Sequence, residues 1–328
     1  MRTTPYPRVV IAGLAVVDVI GRPVEFTRPP RAGSLSYLES ITLTSGGNVS
    51  NCGIDLAKLG VRVGIITRVG RDGLGNFLRH EYDRYGLETR GVIVDGASQT
   101  SATMVHVDGA GERTFLHTRG CMANFRMKDV ESQLPMIARA DVFVLGYLGL
   151  LPESERGFAG TFALVKRKTK ALTFLDTGGT PRRNARLLRG LLPHVDFFLP
   201  SLDEARTLTG ERDPAAIVIA FRALGATGVV GVKLGADGCY LSTPDRSEHV
   251  PAVRVRRVID ATGAGDAFVA GFVAGIVKGL DPFDAARIAA AVAAHCVTEV
   301  GASTAIQPLR HYLRRVTTRL SHSPGRRP

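Results

Sequence analysis

Residues 258–268 read VIDATGAGDAF, and the interpretation of the whole 328-residue chain turns on them. Upstream, Val253, Val255 and Val258 sit among arginines in what reads as a short strand. Downstream, residues 268–277 are apolar and mostly small, as in a buried helix. Residues 262–266 are therefore expected to be a strand-to-helix turn. The first N–H groups of a helix are unpaired and carry partial positive charge. Gly263, Ala264 and Gly265 put little bulk over them, so an anion can approach closely. Asp266 adds a carboxylate to the same turn. That is a poor choice for holding a phosphate alone, but a sensible one where a hydroxyl must lose its proton as it attacks a phosphoryl group. The competing reading is an acid that merely satisfies the helix dipole.

Working outward, 142–145, 172–175, 197–199 and 229–232 are short apolar runs with strand character. Helical stretches at 153–166, 182–192, 202–208 and 214–224 lie between them, and 282–297 forms a last long helix. This alternation predicts an α/β fold with a doubly wound, mostly parallel sheet and helices on both faces. At the other end, 9–12 and 15–17 form a nearly continuous apolar run ending at Asp18. It reads as a buried strand with an acid at its carboxyl end, where open α/β sheets bind ligands, or as a strand followed by a turn aspartate. Residues 21–45 and 101–118 are β-rich instead, the second a hairpin around the DGAG turn at 108–111. Two such insertions predict a small sheet standing off the main body as a lid.

Between them, SGGNVSNC (45–52) opens a helix that stops at Gly60. Asn48 and Asn51 share a face near its start, where their amides could bond ligand hydroxyls or simply cap the helix. Asp72, in GRDGLG (70–75), reads as an N-cap. Ser201 and Glu204 match a capping box; alternatively Glu204 helps to hold a hydrated Mg²⁺ beside phosphates. Residues 233–238, KLGADG, form a tight turn between strands, a hairpin or a nucleotide edge. His295 either packs in the core or faces a ligand.

Several classes are excluded. The sequence has no P-loop, no dinucleotide-binding glycine fingerprint after the first strand, no nucleophile elbow and no H-E-x-x-H pair. No apolar run reaches the roughly 18 residues of a membrane span, and no signal-type region follows Met1. The four cysteines lack C-x-x-C spacing and suit a reducing cytoplasm. Much of the net charge of +12 comes from arginines in 310–328, a basic tail; neither nucleic-acid nor membrane binding is expected.

Taken in order from about residue 9 to 304, these segments resemble the ribokinase-like (PfkB) carbohydrate kinase family. DATGAGD (260–266) matches the family's D-x-x-G-A-G-D signature, and GGN (46–48) with Asn51 and GRDGLG (70–75) match two further motifs. The resemblance implies one domain over 1–309, with a lid from about 21–45 and 99–120. It implies ATP-dependent phosphorylation of a sugar-like hydroxyl, with Asp266 as base and the amides of Gly263, Ala264 and Gly265 as anion hole. Asp18, Gly46, Gly47, Asn48 and Asn51 fall at sugar-binding positions. Ser201, Lys233, Gly235, Gly238 and His295 fall around the nucleotide, Glu204 near Mg²⁺, and Asp260 and Thr262 at a monovalent cation such as K⁺. A homodimer paired through the lid is also implied.

Some positions depart from the family. Ser201 replaces the asparagine of the magnesium motif, Asn48 stands where ribokinases proper have lysine, and 145–148 lacks a carboxylate that some sugar kinases carry. Arg113, His117 and Arg119 could meet an anionic substituent or be solvated strand residues. Tyr37, Phe115 and Phe125 keep a nucleoside kinase open as the alternative. A ligand-binding member without turnover is the other alternative.

Overall fold

Both flanks of the first strand explain its composition. In the computed structural model, which describes residues 6–25, 32–179 and 184–320, β1 (Val9–Ala12) is fully buried and pairs in parallel on each side. Val9 and Ile11 face one core, Val10 and Ala12 the other, so every position must be apolar.

β2 (Val16–Arg22) and β3 (Ser40–Gly46) lead into α1 (Gly47–Lys58), followed by β4 (Val63–Gly70), α2 (Gly73–Arg84) and β5 (Glu88–Asp95). The hairpin β6 (Ala102–Val107) and β7 (Arg113–Thr118) comes next, then short helices α3 (Met127–Glu131) and α4 (Leu134–Ile137). Regular alternation follows: β8 (Val142–Leu148), α5 (Pro152–Lys168), β9 (Leu172–Thr177), α6 (Ala185–Leu191), β10 (Phe197–Phe198), α7 (Leu202–Thr209), α8 (Pro214–Ala223) and β11 (Val229–Lys233). β12 (Cys239–Ser242) and β13 (Ser247–Val250) precede α9 (Ala264–Val277), α10 (Pro282–Cys296) and α11 (Leu309–Leu320).

Among the described residues, nine strands form one sheet in the order β13-β12-β11-β10-β9-β8-β1-β4-β5, antiparallel only at the β12 and β13 edge. Helices cover both faces, the doubly wound architecture expected from the alternation. The other four strands form a separate sheet, β3-β2-β6-β7. Helix α9 crosses the large sheet, with Phe272 edge-on to Phe174 and Phe197 at 6.0 and 5.4 Å. Its glycines let α10 come close: a Cβ on Gly271 would lie 2.8 Å from Ala289 Cα.

Three expectations fail. The apolar run 9–17 is not one strand, because the chain leaves the large sheet at Gly13. There φ is +144°, and a Cβ would stand 1.9 Å from the carbonyl oxygen of Gly146, so the turn admits glycine alone. Asp18 thus lies inside β2 of the small sheet. Residues 251–259 form no strand; Pro251 ends β13, and the segment runs over a cavity instead. The tail does not begin at 310, since Tyr312 is fully buried and Leu309 and Leu313 pack on the core. Parts of two other expectations (the lid at 26–31 and the helix start at 182–183), and the end of the tail at 321–328, lie outside the described residues.

Candidate active site

Helix α9 starts from Gly263, whose left-handed φ of +75° suits glycine, and no side chain caps it. A Cβ on Gly263 would meet that of Ala302 at 2.4 Å, so the turn is pressed onto the 301–304 loop. The first turn, where Ala264 N donates to Ala261 O at 3.3 Å, borders a cavity of about 840 Å³ lined by Gly263, Ala264, Gly265 and Asp266. Ser201, Glu204, Lys233, Gly235 and Gly238 line it too, so most of the residues singled out in the second half of the sequence converge there.

Asp266 is 6% exposed. Tyr147 donates its hydroxyl to Oδ1 at 2.6 Å and Asn51 donates Nδ2–H to Oδ2 at 2.9 Å. Burial raises its pKa above the ordinary carboxylate value; the bonds from Tyr147 and Asn51 and the charge of Lys233 act in the opposite direction. The Lys233 ammonium lies 3.5 Å from Asp176 Oδ1. A Cβ on Gly265 would lie 3.6 Å from that nitrogen, so the cation stands at the head of α9. Burial works against the Lys233 charge, but Asp176, Glu204 and Asp266 outweigh it and hold the pKa above its usual value. Burial raises the Asp176 carboxyl, and its Oδ1 has no hydrogen-bond donor.

Glu204 and Ser201 form the capping box. Glu204 Oε2 accepts from Ser201 N, Ser201 Oγ and Thr177 Oγ1, each at 2.7 Å. Glu204 nevertheless lines the cavity, as does Asp176. No cluster of three or more metal-ligating side chains occurs among the described residues. A hard divalent cation would therefore be held chiefly by water and phosphate oxygens, with Glu204 and Asp176 nearby, as suits Mg²⁺. The uncapped amides, Lys233 and the glycine surface fit a polyphosphate.

The small sheet reaches the start of the turn that precedes α9 through Arg113, which meets Asp260 and Thr262. Asp18, Thr103, Phe115, His117 and Arg113 share one of its faces by register, since Asp18 pairs with Thr103, Thr103 with His117 and Val105 with Phe115. Burial raises the pKa of Asp18, against a hydrogen bond from Thr103. Gly46 leaves room for the carboxylate, because a Cβ there would be 2.5 Å from Asp18 Oδ2. Gly47, with φ of +82°, presses against the carbonyl of Leu14.

Three sequence assignments are corrected by position. Asn48 is 1% exposed; its Oδ1 accepts from Leu14 N at 2.9 Å and its Nδ2 donates to Ala12 O at 3.2 Å. It ties off β1 after the Gly13 turn instead of facing a ligand. His295 does not line the cavity: its ring stacks on His311 at 5.6 Å and its Nδ1 lies 3.1 Å from the Tyr312 hydroxyl. Asp260 and Thr262 do not fit a monovalent cation. Asp260 Oδ1 accepts from Thr262 N and Arg113 Nη2, each at 2.8 Å, Oδ2 accepts from Gly301 N at 3.0 Å, and Arg113 Nη1 donates to Thr262 Oγ1. Although burial opposes it, these bonds lower the Asp260 pKa to about 2.

Tyr147, Asp176 and Arg113 carry contacts that the sequence reading missed. Asp176 was within reach, since an acid at the carboxyl end of a parallel strand marks the ligand side of such sheets. Nothing in the local sequence announces the reach of Tyr147 to a residue 119 positions away.

The pfkB family carbohydrate kinase model matches residues 7–309. Bacillus subtilis (strain 168) 2-dehydro-3-deoxygluconokinase is 26% identical over 271 residues, covering 80% of this chain and 83% of that protein. The Arabidopsis thaliana ribokinase structure with ribose and ATP superposes with a TM-score of 0.82 at 23% identity, covering 95% of this chain and 99% of the other. An E. coli protein crystallised with ATP and Mg²⁺ gives a TM-score of 0.78 at 21% identity, covering 95% and 99%.

Proposed function

Since this chain belongs to the pfkB family of carbohydrate kinases, we propose that it transfers the γ-phosphoryl group of ATP to a hydroxyl of a sugar or sugar-like acceptor, with Asp266 as base. The observation that carries this reading is the head of α9. A buried carboxylate, fixed through both oxygens, stands in the same turn as uncapped amides with Lys233 beside them.

ATP supplies the transferable group when bound, with Mg²⁺ near Glu204 offsetting its charge. Asp266 takes the proton of the acceptor hydroxyl. Its raised pKa strengthens it as a base, and the bonds from Tyr147 and Asn51 keep it ionised and aimed. The amides of Gly263, Ala264 and Gly265, with Lys233, stabilise charge on the moving phosphoryl group. Ser201, Gly235 and Gly238 border the nucleotide. Asp18, backed by Gly46, Gly47 and Asn51, receives acceptor hydroxyls under the small sheet.

A sugar is favoured over a nucleoside by the aromatics. Phe125 is buried in the core, Tyr37 is 89% exposed, and Phe115 alone of the three shares the face of Asp18. Arg119 pairs with Glu153 and Arg113 with Asp260, which argues against an anionic acceptor. The complete base and anion hole argue against a member without turnover. We assign one domain that includes α11, with a lid built from β2, β3, β6 and β7, in the cytoplasm, where its four buried free cysteines stay reduced. No described helix is long and apolar enough to cross a membrane. The outer face of the small sheet exposes Leu43, Met104 and Leu116, which supports pairing of two copies there.

The test is ATP consumption over a panel of sugars, sugar acids and nucleosides with Mg²⁺, using the wild type and Asp266→Asn. An acceptor-dependent signal that falls by about 10²–10⁴ in the variant is expected. A signal that survives would remove Asp266 as base.

A further inference from the structure

We propose that the guanidinium of Arg113 occupies the place beside the Gly263–Gly265 turn where a monovalent cation would sit, so that this chain brings its own fixed cation and takes up no potassium there. The inference deepens the kinase reading, because the turn is the one assigned to phosphoryl transfer.

The oxygens around that place are already engaged. Asp260 is 7% exposed and both its carboxylate oxygens accept hydrogen bonds, Oδ1 two of them. Thr262 Oγ1 faces Arg113 Nη1. The Cys296 thiol donates its one hydrogen to the carbonyl oxygen of Ala302 at 3.0 Å, with Thr262 O its longer alternative acceptor at 3.6 Å. A hard cation needs several uncommitted oxygens at once. One close enough to share Asp260 Oδ1 or Thr262 Oγ1 would also stand beside a permanently charged guanidinium, and that repulsion is strong away from bulk water.

The charge is also tethered. Arg113 opens β7, on the face of the small sheet that carries Asp18, and reaches 147 residues along the sequence to Asp260. A diffusible ion would stay with the turn whatever the sheet did. A guanidinium arrives with the sheet and leaves with it, so seating the sheet and setting the charge beside the anion hole become one event.

The experiment follows thermal unfolding of the full chain without nucleotide, in KCl against choline chloride at equal ionic strength. It uses the wild type, Arg113→Ala and Arg113→Lys. The wild type and Arg113→Lys should melt at the same temperature in both salts. Arg113→Ala, with the oxygens released, should melt on the order of 2–4 °C higher in KCl once K⁺ is about tenfold above its dissociation constant. A potassium-dependent rise in the wild type would overturn the proposal, and so would a folded Arg113→Ala indifferent to potassium. Should Arg113→Ala fail to fold, Arg113→Met keeps the stem and answers the same question. No readout requires turnover, so failure of the kinase reading would show in the acceptor panel and not here.

Discussion

Replacing Tyr147 by phenylalanine isolates one term in the basicity of Asp266. The lost contact is a 2.6 Å hydrogen bond from a hydroxyl to Oδ1, at a carboxylate only 6% exposed. Hydrogen bonds to charged groups contribute about 1.5–3 kcal/mol. At 1.36 kcal/mol per pKa unit, losing one moves the acid's pKa by about 1–2 units. The sign is fixed: the bond favours the ionised form, so its removal adds to the rise that burial already causes. The base must be ionised to accept a proton, so the acidic limb of kcat/KM against pH should move upward by about 1–2 units. Activity should recover toward wild type above the new limb. The assay is coupled detection of ADP over about pH 5–9 with the best acceptor from the panel. Asn51→Leu, which removes the bond to Oδ2, should shift the limb in the same direction. A limb that stays in place while the rate falls equally at every pH would refute the reasoning and leave Tyr147 as a packing element.

Gly271→Val should destabilise the fold by about 1–3 kcal/mol, because its Cβ would lie 2.8 Å from Ala289 Cα and neither helix backbone can yield freely. Gly160→Ala in α5, where a Cβ meets nothing within 4 Å, should instead gain about 0.4–1 kcal/mol; denaturant titration of both checks the contrast. Asp260, with its pKa lowered to about 2 in the fold, contributes stability that is present above about pH 4 and lost as the pH falls through about 2. That contribution is about 2 kcal/mol, and Asp260→Asn should flatten this part of the stability curve. Asp55 is the opposite case: it is fully buried, and burial raises its pKa well above normal, outweighing a hydrogen bond from Ser303 and the charge of Lys58. Its folded form holds a proton that the unfolded chain has released, so stability falls as the pH rises above about 4. Asp55→Leu should melt higher than wild type at pH 8, with a smaller gain at pH 5.

Much of this molecule could be read in one dimension. The period of short apolar runs and helices predicted the doubly wound sheet, because strands buried on both faces must be apolar throughout. The glycine-rich turn before Asp266 announced itself through the absence of bulk. What stayed hidden depended on geometry between distant segments. The run 9–17 looks like one strand, since Gly13 interrupts its path and not its hydropathy. Asn48 and His295 have polar side chains in suggestive places, but strand ends and helix packing claim them first. Arg113 looks like an ordinary solvated strand arginine until the small sheet is folded over the Asp260 turn. Side chains that join elements far apart in sequence leave no periodic trace, and the site is built largely from such contacts.

The hydrogen bond from Asn51 to Asp266 joins residues 215 positions apart. During synthesis, α1 must therefore wait for most of the chain before the helix that covers it emerges. Until α9 has formed, the flank of α1 that bears Asn51 has no partner. Any product that ends before Ala264 leaves it so permanently. Such truncated chains should be held by chaperones or degraded rather than accumulate as stable half-enzymes. Asn51 and the carboxylate of Asp266 are then brought together only once α9 has folded against α1.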